Sequence, residues 1–464
     1  MAELRAGITG YSAYVPRFRL DRGEVAAVTG DRDRGTRVVA AFDEDSTSLA
    51  VEAVRLAAQG TTVRSLWFGT TVPAYTDKTN ATIVHAATGL PASVAAYDVG
   101  ASVRSAPAAL RAAALDGGLA ALADIRDGLT GSSDERGGGD AAAAFAFGDG
   151  PALAEIIGSA ALSAEFLDRW RLPGDPGSST WEERFGQGEY TALAAQVVDD
   201  VLKDAGIAAA DIDAVAVAGP NGRAVRAATA AAARLTGARD DSSDLLDLVG
   251  NSGAAHLGLV LADLLDRAAP GENLLLISLA DGADAFVFRT TAELPGYRSG
   301  RTSLRDTLAD PLPVAYPTYL LWRGRVARER PRRPDPVRPS APFAARNAAF
   351  KYAFTGGRCR HCATVQFPLP RVCLRCGAND EFDPVSAAGQ RATIVTVTID
   401  HLAFTPSPPL VSAVLDLESG GRVQCELTDV DPAAVAVGDP VVLTFRRLLT
   451  VEGIHNYFWK ARPC

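Results

Sequence analysis

The sequence predicts a duplicated α/β region followed by a small cysteine-bearing region and a β-rich barrel. Three observations predict this fold class. Apolar strand-like segments alternate with Ala-rich helical segments over residues 1–326, as in α/β folds with buried sheets. All six cysteines lie after residue 358, and four of them form two C-x-x-C motifs. Beyond these motifs, residues 385–464 contain short β-rich segments separated by turns.

The composition favours a folded, acidic protein. Of its 464 residues, 47% are hydrophobic and 22% are charged, which suffices for several packed domains. Lys+Arg number 46 and Asp+Glu 55, and this excess of acid argues against broad nucleic-acid binding. No run of about 18 apolar residues is free of charges, so we expect no membrane span. The first residues lack the apolar core of a signal peptide and no disulfide framework is evident, so we expect a cytoplasmic protein.

Four segments in the first half of the α/β region predict alternating strands and helices. Ser65–Thr71 reads as a strand that ends in a loop, and Val94–Val99 reads as another strand. Asn80–Thr88 is predicted to be a helix closed by Gly89, and Pro107–Leu122 a second helix.

The same alternation recurs about 150 residues later. Asp213–Gly219 and Leu245–Val249 are predicted strands. Ala224–Leu235 is a predicted helix that stops at Gly237, and Ala254–Arg267 is another. The glycines of the two halves match in spacing, which favours duplicated domains over a solenoid. Coincidence in an Ala-rich chain is the alternative. The predicted repeats cover about residues 1–155 and 190–326 of a domain spanning 1–326.

A basic, proline-rich segment follows the α/β region. Ala327–Arg346 reads ARERPRRPDPVRPSAPFAAR, and proline favours extended backbone. We therefore predict a linker over residues 327–347. The residues leave open whether it is a plain tether or a strap that lies on the first domain.

The two C-x-x-C motifs predict a structural zinc ion. Cys359, Cys362, Cys373 and Cys376 offer four thiolates, which complete a closed tetrahedral shell. A catalytic zinc is disfavoured because four cysteines leave no open coordination position. A family member that has lost the metal is the alternative. We assign residues 348–384 to a zinc ribbon.

The last region predicts a five-stranded OB barrel over residues 385–464. Its β-rich segments are separated by turns such as ESGG and VGDP. OB barrels also bind nucleic acid, but the acidic chain argues against that here. The predicted strands are TIVTVTID, LVSAVLDLE, RVQCELTD, PVVLTFRRL and NYFWKA.

Segments over residues 5–325 resemble the thiolase superfamily, and most strongly its 3-hydroxy-3-methylglutaryl-CoA synthases. The resemblance implies a duplicated thiolase-like fold with αβαβα layers, an acyl-CoA or carrier-bound acyl substrate, and a homodimer. The ribbon and barrel, with VQFPLPRVCLRCG, resemble the acyl-CoA-associated domain found beside thiolase-like proteins. The matching segments are GITGYSAYVPRFRL, FDEDSTSLAVEAVRLA, AYTDKTNATIV, GPNGR and VGNSG.

The residues at the family's catalytic positions differ from the family pattern. The family uses a cysteine, a glutamate and a histidine, and the resemblance places these at Val103, Thr71 and Ala218. Asn251 matches the family's asparagine. A covalent acyl-enzyme needs a nucleophile, and valine and alanine cannot transfer protons. The helix starts at residues 101–107 and 251–257 are expected to supply N–H groups that stabilise an enolate.

Four side chains are candidates for the missing chemistry. Ser102 lies beside the lost cysteine position and is either a replacement nucleophile or a helix N-cap. His256 could act as acid and base or be a satisfied core histidine. Tyr75 could be a phenol acid or a packed tyrosine, and Asp98 is interpreted as structural. The resemblance also implies that Arg104, Arg223 and Lys78 meet the phosphates of CoA, with solvated surface charge as the alternative.

Three functions remain open on this sequence. The first is an enzyme that forms or cleaves a carbon–carbon bond in an acyl thioester without a cysteine, as thiolase-like aldolases do. The second is a non-catalytic partner that binds acyl thioesters or scaffolds an intact thiolase-like homologue. The third is an acyltransferase that uses Ser102.

Overall fold

The chain folds into two compact units that draw on separate stretches of sequence. The computed structural model describes residues 4, 6–240, 244–329 and 337–464. The first unit comprises residues 1–40, 53–81 and 92–316, and the second comprises 41–52, 82–91 and 317–464. The domain boundaries given above stay a prediction, since these units group segments that are not contiguous in the chain. None of the described helices is both long and apolar enough for a membrane crossing.

The strands of the described residues are, in chain order, β1 (Gly7–Ile8), β2 (Gly10–Tyr14), β3 (Phe18–Asp21), β4 (Thr36–Val39), β5 (Ser65–Thr70), β6 (Ala95–Gly100), β7 (Leu119–Ile125), β8 (Asp140–Ala146), β9 (Ala154–Ser163), β10 (Arg169–Trp170), β11 (Ser179–Thr180), β12 (Ala214–Ala218), β13 (Arg239–Asp240), β14 (Asn273–Leu279), β15 (Gly282–Thr290), β16 (Leu312–Pro313), β17 (Thr355–Cys359), β18 (Val365–Gln366), β19 (Phe382–Ser386), β20 (Arg391–Asp400), β21 (Leu410–Leu417), β22 (Arg422–Glu426), β23 (Pro440–Val451) and β24 (Ile454–Pro463).

The α-helices of the same residues are α1 (Arg22–Thr29), α2 (Ser46–Ala57), α3 (Ala81–Ala87), α4 (Ser105–Asp116), α5 (Ser133–Gly137), α6 (Glu183–Ala205), α7 (Gly222–Thr236), α8 (Leu245–Leu248), α9 (Ala254–Arg267), α10 (Leu294–Arg298), α11 (Tyr316–Trp322), α12 (Ala341–Arg346) and α13 (Ala348–Lys351).

The two large sheets of the first unit repeat one topology. One sheet has the order β2-β8-β7-β5-β6, and the other has β1-β9-β15-β14-β12-β13. In the first, β5 lies parallel to β6 and β7, and β8 is antiparallel to β7 and β2. In the second, β12 lies parallel to β13 and β14, and β15 is antiparallel to β14 and β9. The predicted duplication is therefore confirmed.

Helix α9 fills the layer between the two sheets. Every residue from Ala254 to Leu265 is buried, because the helix has a sheet on either side. Gly258 is required where α9 approaches β8, since a Cβ there would lie 2.6 Å from the Cβ of Ala143. On the far side of the second sheet, Leu275 and Ile277 of β14 pack with residues of α6 and α7. The first unit therefore contains successive layers: the helices α6 and α7, the second sheet, the helix α9 and the first sheet.

Two predicted elements of the first unit are wrong. Residues 245–249 form α8 and not a strand, because a short apolar run does not distinguish a buried strand from a buried turn of helix. The parallel strand at that place is the two-residue β13. The predicted helix at 107–122 ends early, since Gly117 adopts a φ of 72° and caps α4, and β7 starts at Leu119.

The predicted extended linker is also wrong in its second part. Residues 341–346 form α12, and the Ser340 side chain accepts a hydrogen bond from the Phe343 backbone N–H to cap it. Residues 330–336 of the predicted linker lie outside the described residues.

The second unit contains the predicted barrel and a small sheet around the cysteines. Strands β18-β17-β19 form the small sheet, and β22-β21-β20-β23-β24 form the larger one. A parallel bridge between Leu427 and Ala461, with a 2.9 Å hydrogen bond from the Thr428 N–H to the Ala461 carbonyl, joins the end of β22 to β24 and curls the sheet into an OB barrel.

A buried charge cluster, which we call the Arg446 cluster, fixes residues 41–52 within the second unit. Nη1 of Arg446 lies 2.8 Å from Glu44 Oε1 and 3.3 Å from Asp43 Oδ1, while Nη2 lies 2.7 Å from Asp429 Oδ2. Lys460 Nζ lies 2.9 Å from Asp43 Oδ2. All five residues are buried. Burial alone would raise the pKa of Asp43, but the charges of Lys460 and Arg446 lower it instead.

Candidate active site

The glutamate position of the resemblance, Thr71, belongs to a buried hydrogen-bond cluster around Asp124. Because β5 and β7 are parallel neighbours, their carboxyl ends lie side by side. Asp124 Oδ1 accepts from the Thr70 hydroxyl at 2.9 Å and from the Thr71 N–H at 2.7 Å. Its Oδ2 accepts from the Thr71 hydroxyl at 2.9 Å. Thr71 is thus bound to a carboxylate that the sequence motifs did not identify.

Asp124 also closes the start of α9. The Ala254 N–H donates to Asp124 Oδ2 at 2.7 Å, and the Gly253 N–H donates to Asn251 Oδ1 at 3.0 Å. Gly253 has a φ of 57°, and a Cβ there would lie 2.2 Å from Asp124 Oδ2. The N–H groups of Gly253 and Ala254 are thus satisfied within the chain, so neither is available as an oxyanion donor.

The nucleophile position holds no reactive group. Val103 is a buried aliphatic side chain. The adjacent Ser102 is exposed, and its hydroxyl oxygen accepts a 3.3 Å hydrogen bond from the Arg104 N–H at the start of α4. In the part of the chain that the structure describes, no histidine or carboxylate hydrogen-bonds to Ser102. Ser102 lies two residues before Arg104, the N-cap of α4, and lacks the adjacent base that a serine nucleophile needs.

His256 lies in the packed layer between the sheets and not at an open site. It is 1% exposed, and its Nδ1 lies 3.3 Å from the Ser252 hydroxyl. Burial lowers the pKa of His256 to about 4, so the ring is neutral at pH 7. A general acid or base must come within hydrogen-bond reach of its substrate. The predicted acid–base role is therefore incompatible with this position.

Asn251 and Ala218 lie at the turn that follows β12. Ala218 is buried at the end of the strand, and Asn251 Nδ2 donates to the Gly219 carbonyl at 2.8 Å. The Asn251 backbone N–H donates to the Gly137 carbonyl at 2.8 Å. The asparagine retained from the family pattern therefore holds two loops together at this edge of the sheets.

The three predicted CoA-binding cations have different surroundings. Arg104 uses all of its nitrogens inside the first unit, including 3.1 Å from Nε to Asp284 Oδ2. It is therefore not available to a phosphate. Arg223 lies at the surface, paired with Glu183 at 2.5 Å. Lys78 is exposed and donates to the Thr79 carbonyl at 3.0 Å.

Asp98 and Tyr75 flank the start of α3. Asp98 accepts hydrogen bonds from the N–H groups of Asn80 and Ala81, each at 2.7 Å, which fits its structural interpretation. The Tyr75 N–H donates to Asn80 Oδ1 at 2.9 Å, and the tyrosine is half-buried. Tyr75 therefore lies in the turn before α3, and His256 lies in α9, so the structure does not bring these two candidates together.

A cavity of about 210 Å³ lies beside the Asn251 turn in the first unit. Its wall includes residues 220–222, Asn251 and the start of α6. The first two belong to the motifs GPNGR and VGNSG of the resemblance. Neither Ser102 nor His256 lines it. The other side chains that bear chemistry on its wall are Arg22, Asp134, Asp168, Arg169, Trp181, Glu182, Glu183, Arg226 and Asp247.

Asp168 is the buried carboxyl group of this cavity. The residue is 9% exposed, and its Oδ1 accepts a 3.2 Å hydrogen bond from the Tyr190 hydroxyl. Burial raises the pKa of Asp168, and the charge of Asp281 adds to this effect. A perturbed carboxyl group in a cleft is typical of a functional site.

Polar contacts connect the cavity with the Asp124 cluster. Arg169 Nη1 donates to Asp134 Oδ1 at 3.1 Å, and Arg126 Nη2 lies 3.6 Å from the same oxygen. Arg126 Nη1 lies 3.4 Å from the Thr71 hydroxyl, and Arg171 donates to the Thr71 carbonyl. The glutamate position of the resemblance is therefore contacted by Arg126, which follows β7, and by Arg171, which follows β10.

The four predicted metal ligands do come together in the second unit. The Sγ atoms of Cys359, Cys362, Cys373 and Cys376 all lie within 4.8 Å of one another. The Cys359–Cys376 and Cys362–Cys373 sulfur pairs are 3.6 and 3.5 Å apart. Each C-x-x-C turn is a tight knuckle, in which the N–H of the residue four further on bonds to the first cysteine's carbonyl. Four thiolates in this arrangement could hold one metal ion.

The motifs did not reveal Asp124 and Asp168. Asp124 directly follows the apolar run LAALA, so a polar residue at the end of an apolar segment was the available signal. Asp168 lies in EFLDRW, between predicted elements, and has no spacing pattern. Only the tertiary contact with Tyr190 distinguishes it from other acids.

Sequence relatives match most of the α/β part. The hydroxymethylglutaryl-CoA synthase of Methanopyrus kandleri is 31% identical over 342 residues, covering 68% of this chain and 96% of the relative. The enzyme of the same name from Caldivirga maquilingensis is 27% identical and covers 69% and 98%. A family model described as the C-terminal OB-fold domain of ChsH2 matches residues 385–446, which confirms the predicted barrel.

Solved structures share the fold. A crystal structure of HMG-CoA synthase complexed with CoA aligns with a TM-score of 0.60 at 17% identity, covering 68% of this chain and 89% of the other. The HMG synthase of the curacin biosynthetic pathway, in complex with acetyl donor-ACP, aligns with a TM-score of 0.59 at 17% identity and covers 69% and 88%. At these identities the structures establish the thiolase-like fold alone.

Proposed function

Because the chain belongs to the hydroxymethylglutaryl-CoA synthase family, we propose that it binds an acyl-CoA or carrier-bound acyl thioester and forms or cleaves a carbon–carbon bond without a cysteine nucleophile. The observation that carries this proposal is the cavity of about 210 Å³ that keeps Asn251 and residues 220–222 on its wall, while Val103 fills the nucleophile position. Synthases that share the fold have been crystallised with CoA and with acetyl donor-ACP, which supports a thioester substrate.

The residues at the catalytic positions restrict the type of reaction. Transfer of an acyl group between two thioesters through the enzyme needs a nucleophile. Residues 1–358 contain no cysteine, and Ser102 acts as a helix-start acceptor. An aldol-type reaction needs no acyl-enzyme, since the acyl group stays on its own thiol while the carbon–carbon bond forms or breaks and a proton is transferred.

Mass spectrometry tests this proposal directly. The full chain is incubated with short acyl-CoA thioesters and small carbonyl compounds, and products are sought in both reaction directions. We expect conversion without any acyl adduct on peptides from residues 1–358. Detection of an acyl adduct on Ser102 would reject the proposal in favour of a serine acyltransferase, provided that Ser102→Ala loses both the adduct and the activity.

A second candidate function is a non-catalytic partner of an intact thiolase-like homologue. Asp124 favours it, because this buried carboxylate takes up the N–H of Ala254 at 2.7 Å where an enolate would need a donor. Such a partner would bind acyl-CoA, show no turnover alone and raise the rate of the homologue on mixing. Turnover by the purified chain alone would exclude this reading.

We assign a structural zinc ion to the four cysteines. A tetrahedral ion with bonds of about 2.3 Å to sulfur needs sulfur atoms about 3.8 Å apart. The pairs at 3.5 and 3.6 Å match this requirement to within a small relaxation. The ion would fix Cys359, Cys362, Cys373 and Cys376 and thereby the three-stranded sheet of the ribbon.

The family resemblance also supports a homodimer. Among the described residues, β6 pairs only with β5 and forms an edge of its sheet. Tyr97 on this edge is 47% exposed and stacks on Trp67. An uncovered edge strand can pair with a second copy of itself. Light scattering at micromolar concentration should give twice the mass of 48.4 kDa, and a monomer would reject this assignment.

A further inference from the structure

One carboxyl group in the cavity, Asp168, is hydrogen-bonded through one oxygen, and its other oxygen lies near Gly186 and the Asn221 amide. The Tyr190 hydroxyl of α6 donates to Asp168 Oδ1 at 3.2 Å. The other oxygen, Oδ2, lies toward Gly186, where an added Cβ would be 3.1 Å from Oδ2 and 2.9 Å from the Asn221 amide nitrogen. Because Gly186 has no side chain, the Asp168 carboxylate and the Asn221 amide can both lie close to this point of α6.

This position is distinct from all three catalytic positions of the family pattern. Asp168 precedes the β10–β11 hairpin and lines the cavity together with Asn221 and Asn251. Thr71 and Ala218 do not line it. Asn221 has a second fixed role, since its Oδ1 accepts a 3.0 Å hydrogen bond from the Ala224 N–H and caps α7.

We propose that Asp168 is the proton-transferring residue of an aldol-type step on a short β-hydroxyacyl thioester, with Tyr190 as its positioning residue. The inference rests on the function proposed above and specifies its substrate class. A cavity of about 210 Å³ accommodates an acyl group of a few carbons. The pantetheine and nucleotide parts of the thioester would extend outside it.

The proton transfers of this step need only one carboxylate. In the cleavage direction, Asp168 accepts the proton of the β-hydroxyl group while the bond between Cα and Cβ breaks. The electron pair of that bond becomes the enolate of the thioester, and the β-carbon leaves as an aldehyde or ketone. Asp168 then returns the same proton to Cα, which yields the shortened acyl thioester. Condensation is the reverse, and no oxidant, reductant or leaving thiol takes part.

The surroundings of Asp168 suit a group that both takes and gives a proton. Burial raises its pKa from the ordinary aspartate range toward that of a carboxyl group able to hold a proton. Tyr190 lowers it by donating a hydrogen bond, Asp281 raises it, and Arg169 lowers it. Tyr190 itself is kept protonated, because burial and the charge of Asp168 raise its pKa well above the physiological range.

Exchange of α-protons isolates this proton transfer from the rest of the reaction. The full chain is incubated in D2O with acetyl-CoA, propionyl-CoA and butyryl-CoA, and deuterium uptake at Cα is followed by mass spectrometry. Binding of each thioester is measured separately by calorimetry. We expect D168N to bind as the wild type does and to exchange at least about 100-fold more slowly, the usual loss for a missing acid–base group.

Asp200→Asn is the matched control, because Asp200 lies on the outside of α6 with a 41% exposed side chain. It should exchange at the wild-type rate. Equal exchange by D168N and wild type would overturn the role of Asp168 and leave the proposed function standing. A wild-type chain that binds all three thioesters but exchanges none would overturn both and favour the non-catalytic partner.

Tyr190→Phe distinguishes positioning from mere packing. The exchange rate requires Asp168 as carboxylate, so it falls as the pH drops through the pKa of Asp168. Loss of the Tyr190 hydrogen bond raises that pKa, and the acidic limb of the profile should move to higher pH. An unchanged profile with a normal fold would contradict the positioning role.

Discussion

The cysteine cluster of the second unit and the catalytic positions that the family resemblance implies in the first unit differ in how they are assembled. The four cysteines come from two local knuckles, and all four ligands are present with their sulfurs within 4.8 Å. The synthase site is assembled from strand ends far apart in the chain, and Thr71, Val103 and Ala218 stand where the family has its chemistry. Short-range spacing therefore identified the first site, and no spacing identified the replacement groups of the second.

The Arg446 cluster and the Asp124 cluster differ in the direct partners of their buried carboxylates. In the Arg446 cluster, acids and bases are buried together, and each carboxylate has a cationic partner. In the first unit, Asp124 is surrounded by hydroxyl and backbone donors. Asp124 therefore binds groups of the chain itself, at Thr70, Thr71 and Ala254. Thr71 and Val103 are buried and do not line the cavity at Asp168.

Removal of one metal ligand should have the largest effect. Cys359→Ser should abolish binding of about one zinc ion per chain and unfold the ribbon, since structural zinc contributes roughly 10–16 kcal/mol of apparent binding free energy in small zinc modules. Metal analysis and hydrogen exchange over β17–β19 measure this. Cys464→Ser, at an exposed cysteine, is the control. A Cys359→Ser chain that keeps its full zinc content would contradict the assignment of the ion to the four cysteines.

Removal of a buried charge from the Arg446 cluster should follow in size. Arg446→Met leaves Asp43, Glu44 and Asp429 without their shared cation, and breaking such a buried set costs about 3–5 kcal/mol. Thermal unfolding monitors the loss. Arg422→Met is the control, because its ion pair with Asp416 is exposed to solvent and therefore contributes little to stability. Equal effects of both variants would contradict the burial argument.

Local signals predicted the duplication and most elements, while tertiary contacts decided the rest. The glycines that end α4 and α7 adopt the left-handed backbone that a helix end favours. The apolar run at 245–249 was ambiguous because its form depends on the core around Leu245. The sequence also left open whether His256 is a core histidine or an acid–base group. The packing of a sheet against each face of α9 buries it in the core.

Asp124→Ala tests whether the former glutamate region is structural. The change leaves the buried N–H groups of Thr71 and Ala254 without acceptors, which should destabilise the first unit by about 2–4 kcal/mol. Denaturant unfolding measures the loss, and α-proton exchange by the folded variant should be kept. If a folded Asp124→Ala chain lost α-proton exchange, catalysis would instead lie at the cluster around Asp124 and Thr71.

The smallest predicted effect concerns His256 and acidity. The unfolded chain takes up a proton at His256 near pH 6.5, whereas the folded chain does so only near pH 4. The unfolded state therefore binds more protons between these values, and stability must fall as the pH falls through this window. From pH 7 to pH 5 this group alone should remove about 2 kcal/mol from the unfolding free energy of the first unit.

His256→Leu should remove this pH dependence while leaving α-proton exchange intact, because the ring lies in the packed layer and away from the cavity. The exposed His401 provides the matched change, His401→Leu, which should keep the wild-type slope. Denaturant midpoints at pH 7 and pH 5 give the comparison, and few carboxylates titrate in that window. A His256→Leu chain that folds, keeps the wild-type pH slope and loses exchange would return His256 to the site as its acid–base group and remove Asp168 from that role.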